Sequence, residues 1–75
     1  MTLEIKLESV KDVQDFVSMA TACHYPVAVD CGGFSVNGKS FMEMFTINFT
    51  QPLLVEVAGE ENEANFARAA KRFLV

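Results

Sequence analysis

The sequence predicts an α+β fold in which one layer of antiparallel sheet carries helices on one face. Two observations lead there. Apolar residues recur with the two-residue period of strands in some stretches and with helical spacing in others, giving the order β-α-β-β-α-β-α. Those stretches also follow one another without linkers, repeats or low-complexity segments, so the stripes must bury against each other. Seventy-five residues make a single domain over 1–75, close to the lower size limit for a core without staples. Seven phenylalanines supply its bulk.

Each element has its own signal. Leu3, Ile5 and Leu7 alternate with Glu4, Lys6 and Glu8, as in a half-buried strand. Ser9 then offers an N-cap to a helix whose stripe is Val10, Val13, Phe16, Val17 and Ala20. Lys11, Asp12, Gln14 and Asp15 take its other face, and the first-turn acid suits the helix dipole. Tyr25-Pro26 closes that segment. Val27, Val29 and Cys31 form the second strand.

Two hairpin signals follow, Gly32-Gly33 and Asn37-Gly38, the latter stronger in isolation. Turning at Gly32-Gly33 makes Phe34 to Val36 the return strand and leaves Ser40 free to cap a short helix, so that register is preferred. Asn48 to Pro52 reads as loop, and Leu53 to Val57 as the last strand. Asn62 to Leu74 reads as the last helix, with Phe66, Ala69, Ala70 and Phe73 as its stripe. Acids at its start and bases toward its end both match the macrodipole.

Composition narrows the function. A net charge of −4, with Lys71-Arg72 as the sole basic pair, argues against nucleic acid and anionic membranes as partners. No apolar run approaches spanning length and no leader pattern is visible, so a cytoplasmic location is expected. Cys23 and Cys31 are too few for a disulfide framework and match no zinc spacing; free thiols, no metal and no cofactor are expected.

Catalytic chemistry is sparse. His24 has two readings, a general base or phosphate acceptor on one side and a loop histidine on the other. No carboxylate or serine near it in sequence supports the first. Gly38-Lys39-Ser40 lacks the spacing of a phosphate loop.

Ser40-Phe41-Met42-Glu43 fits a capping box, with Glu43 reaching back to the cap. A phosphate on Ser40 would equally sit on free N–H groups at a helix start. Phe41 and Phe45 share a face at i, i+4 and Met42 lies beside Phe45 at i, i+3, while Met44, Ile47 and Phe49 point toward the core. The exposed Phe/Met cluster reads as a surface for a protein partner.

The segment Val36-Asn37-Gly38-Lys39-Ser40-Phe41-Met42, behind a Gly-Gly hairpin and ahead of a Pro loop, a Leu-Leu-Val-Glu-Val strand and a terminal helix, resembles the HPr family. These are the phosphocarriers of the bacterial phosphoenolpyruvate:sugar phosphotransferase system. The resemblance spans nearly the whole chain. It implies an open-faced β-sandwich, four antiparallel strands in order 1-4-2-3 with three helices on one face. It implies that Ser40 stands where a regulatory kinase acts, and that Phe41, Met42 and Phe45 dock partners such as phosphotransferase proteins or transcriptional regulators.

Two departures qualify the carry-over. The family motif Gly-x-His-x-Arg-Pro places its phosphohistidine on Ser9, its arginine on Lys11 and its proline on Asp12. A serine hydroxyl lacks the near-neutral pKa with which imidazole accepts phosphate. Glu43 replaces a usual glycine and would repel a phosphate on Ser40. The expected activity is therefore a non-enzymatic, regulatory or binding one, in a monomer or weak homo-oligomer. A phosphocarrier using Ser9 or His24, or a self-associating domain, is the alternative.

Overall fold

Four strands and three helices, in the order β-α-β-β-α-β-α, make up the computed structural model, which describes residues 2–75. They are β1 (Thr2–Ile5), α1 (Val10–Thr21), β2 (Ala28–Cys31), β3 (Phe34–Asn37), α2 (Phe41–Met44), β4 (Leu53–Glu56) and α3 (Glu60–Ala69). A 3₁₀ turn at Lys71–Phe73 ends the chain's regular structure. The sheet is antiparallel with strand order β1-β4-β2-β3, as the HPr resemblance implies.

Register gives the sheet two unlike faces. Leu3, Val55, Val29 and Val36 lie across from one another on the inner face, and Ile5 pairs with Leu53 beside them. Glu4, Leu54, Asp30 and Ser35 form the matching row on the open face. The inner face meets Val13, Phe16, Val17 and Ala20 of α1, Met44 of α2 and Phe66 of α3 in one core. Phe16 sits edge-on to both Phe66 and Phe73, at centroid distances of 6.2 and 5.8 Å. All three helices thus share a single side of the sheet.

The hairpin turns at Gly32-Gly33, whose φ values of 54° and 94° suit a turn that needs the left-handed region twice. Gly38 has a different reason to be glycine. Its N–H donates to the Val27 carbonyl at 2.8 Å, extending the β2-β3 ladder past Asn37. A Cβ there would stand 2.9 Å from Val27 Cγ1 and 3.2 Å from the Val27 carbonyl oxygen. Gly38→Ala is accordingly expected to cost about 1–3 kcal/mol through overpacking. Urea unfolding measures it, and an unchanged midpoint would contradict the close approach.

Three expectations need correction. Val10 is exposed: its angle on the stripe is right, but the first turn of α1 runs past the core, which begins at Val13. The last helix begins at Glu60 and its α-helical part ends at Ala69, not Leu74. Asn62, the expected start, lies inside the first turn, where its side-chain amide donates to the Ala58 carbonyl at 3.1 Å. The 3₁₀ turn brings residues three apart into line, so Ala70 and Phe73 stay buried while Ala69 rotates outward. The chain then returns to β1: Lys6 N–H donates to the Phe73 carbonyl and Val75 N–H to that of Glu4.

Candidate functional site

The candidate docking surface is built on α2, a single turn of helix with one buried residue, Met44. Ser40 caps it, its Oγ accepting from the Glu43 N–H at 3.3 Å. The other half of the expected capping box does not form. Ser40 N–H is already donating to the Asn37 carbonyl, and Glu43 Oε1 accepts instead from the Asn37 N–H at 3.1 Å.

That contact falls on an exposed sheet edge. Because Gly38 N–H points at Val27, Val36 and Phe34 also turn their backbone groups toward β2, and Ser35 and Asn37 face away. The outward groups of Asn37 are thus closed by Ser40 and Glu43. Ser35 is, among the described residues, the position of β3 left with outward backbone groups uncovered.

On the solvent side, Phe41 and Phe45 stack with centroids 4.7 Å apart, and Phe49 meets Phe45 edge-on at 6.0 Å. Phe41 and Phe45 each keep 39% of their surface exposed and Met42 keeps 83%. Phe49 and Ile47 are half-buried against the core, as expected, and Phe49 also extends the aromatic string. Sequence reasoning missed Phe34, placed inside a strand but 74% exposed at the sheet edge. It borders a groove of about 510 Å³ with Cys31, Val36 and Ile47, between β3 and the loop after α2. No local signal marks an edge strand, because the strand order is not written in the strand itself.

Ser9 and Lys11 belong to a separate polar cluster. Ser9 Oγ accepts from Asp12 N–H at 3.1 Å, and Asp12 Oδ2 accepts from Glu8 N–H at 3.0 Å. Arg72 then closes on α1, with Nη2 at 2.7 Å from Asp12 Oδ1 and Nη1 at 3.0 Å from Asp15 Oδ2. Its guanidinium also lies over the Phe73 ring. Lys11, largely exposed, reaches only Asp15, at 3.5 Å. Ser9 and Lys11 make no hydrogen bond or ion pair to α2 among the described residues. The polar tie from α1 to the approach of α2 is at the other end of the helix, where Lys39 Nζ donates to the Cys23 carbonyl at 2.9 Å.

The Arg72 guanidinium holds the Asp15 carboxyl below its ordinary value of 3.8, its hydrogen bond being the largest cause. A depressed carboxylate stabilises the fold above the pH at which an unfolded aspartate titrates, and that contribution fades as pH falls through the lower, folded value. Arg72→Gln should return Asp15 toward ordinary titration. Carboxyl NMR across pH 2–6, about two units either side of the ordinary value, reads this directly, and an unmoved curve would remove Arg72 as the cause.

His24 is exposed in the turn after α1. Cys23 and Cys31 are free and half-buried, their thiols near the Met19 and Asn48 carbonyls. No described helix is long and apolar enough to cross a membrane.

Neither a protein-family model nor a curated protein matches this sequence. Solved structures do. The phosphocarrier protein HPr from Bacillus anthracis str. Ames superposes with a TM-score of 0.75 at 19% identity, over 97% of this chain and 93% of that one. HPr-C-His from Thermoanaerobacter tengcongensis gives a TM-score of 0.79 at 20% identity, over 97% of this chain and 88% of that one. The fold is HPr-like.

Proposed function

We propose that this chain is a non-enzymatic, HPr-like binding module, related to the sugar phosphotransferase system and docking protein partners through α2. The observation that carries the reading is the Phe41-Phe45 stack with Met42 protruding beside it. Three large apolar side chains stay wet on a helix whose own anchoring needs only Met44. Exposed aromatic and methionine surface of this kind is the usual material of protein interfaces.

The phosphocarrier alternative finds less support. Ser9 is committed as a cap, beside an Asp12 carboxylate that would repel an incoming phosphate. Arg72, the cation nearest that carboxylate, is already neutralised by two aspartates. Regulatory phosphorylation of Ser40 would have to displace the Glu43 N–H from its oxygen.

Phe45→Asp tests the docking surface. The variant should keep its fold, since Phe45 is a surface residue, and lose about tenfold or more in affinity for a captured partner, as an interface anchor would. Retained affinity would remove α2 from the interface. Incubation with the general phosphotransferase enzyme and labelled phosphoenolpyruvate tests the non-enzymatic half, where acid-labile label on His24 would overturn it.

A further inference from the structure

Behind the approach to α2 lies a second concavity that docking does not use. It is an open hollow of about 630 Å³ between the turn after α1 and the outer strand β3. His24, Tyr25, Ser35, Asn37 and Lys39 supply its polar lining, over Val36. We propose that this hollow binds a small molecule through an oxyanion group, a phosphate monoester or a carboxylate, held at its Lys39-His24 end.

The charge pattern is the first reason. The chain has ten side-chain carboxylates against six lysines and arginines, yet among the described residues no carboxylate side chain lines the hollow, and its basic side chains are Lys39 and His24. Lys39 is also the half-buried lysine of the region, and its ammonium meets a backbone carbonyl rather than an acid. One of its three N–H donors goes to Cys23, which fixes the head group and leaves two for a ligand. A lysine held in place without a counter-ion is a ready phosphate or carboxylate partner, because the ordering that such a contact requires is already complete.

The neighbouring donors match the same chemistry. Tyr25 is pushed up to about 12 by burial and then by its side-chain hydrogen bond with Cys23, so its hydroxyl is already partnered and the ligand donors come from elsewhere. The Ser35 hydroxyl and the Asn37 amide add donors from β3, and Asn37 Oδ1 is turned inward to accept the Lys39 N–H at 2.9 Å. The nearest carboxylates stand on the β3 side: Glu43, on the Asn37 N–H at 3.1 Å, and by register Glu56 opposite Ala28 and Asp30 opposite Ser35. They disfavour an anion along β3, so the charged group belongs at the Lys39-His24 end.

The test is a titration of the full 75-residue chain, labelled with nitrogen-15, against inorganic phosphate, acetate and chloride at matched ionic strength. Saturable amide shifts confined to residues 24–28 and 35–39 are expected, with phosphate or acetate but not chloride. Saturation by phosphate alone assigns the phosphate class, and saturation by acetate the carboxylate class. Lys39→Met should weaken binding about tenfold, the size of one lost charge-assisted hydrogen bond. Since that variant also loses its hold on Cys23, His24→Gln serves as a surface replacement, expected to weaken binding severalfold with an unchanged spectrum elsewhere. The proposal is overturned if phosphate and acetate act no differently from chloride, if the shifts collect at Ser9 instead, or if both variants bind as the wild type does.

Discussion

Phe16→Ala is expected to remove about 3–5 kcal/mol of stability. Phe16 is fully buried and is the ring on which Phe66 and Phe73 both rest edge-on. Its removal strips the shared partner from α3 and from the terminal 3₁₀ turn at once, and the cavity cannot be filled by a neighbour already pinned to the sheet. A domain of this size has roughly 4–11 kcal/mol in total, so the variant should be largely unfolded at moderate urea. A loss below about 1 kcal/mol would mean that the three rings do not pack as a unit.

Met44→Ala comes second, at about 2–5 kcal/mol, but its signature differs. Met44 is the one buried residue of α2, so the damage should concentrate there rather than spread. Amide exchange at Met44 and Phe45 should accelerate toward unfolded rates, while Val29 and Val55 stay protected. Partner binding should fall along with α2, though none of the exposed residues has changed. If exchange rises evenly across the sheet, α2 is not a separable unit.

Much of this architecture was legible because local chemistry and global position agree. Ser9 and Ser40 are extended caps whose oxygens accept helix N–H groups, which is the reading their sequence context carries. The Gly32-Gly33 turn was chosen over Asn37-Gly38 because only that choice leaves Ser40 its helix, and the backbone has the positive φ values it requires. What stayed illegible depends on separation. Arg72 meets Asp12 across sixty positions, so no window of sequence could pair them. The same holds for Phe34, whose exposure follows from β3 lying at the margin of the sheet, and for Lys39, which finds Cys23 sixteen residues back. Glu43 departs from its expected role for a subtler reason: the capping-box spacing is present, but the Ser40 N–H it would reach is taken by the Asn37 carbonyl.

The Glu43 contact with Asn37 bears on how a partner can engage the molecule. The carboxylate of Glu43 shields a strand margin that would otherwise be open to another chain's backbone, and it does so from the same turn that presents Phe41, Met42 and Phe45. Lifting the turn to grip it would bare the margin. In the proposed docking mode a partner would therefore meet this turn as a rigid face, with little rearrangement slowing association. The side chain that covers the Asn37 stretch of this strand margin also holds the turn in the shape it presents.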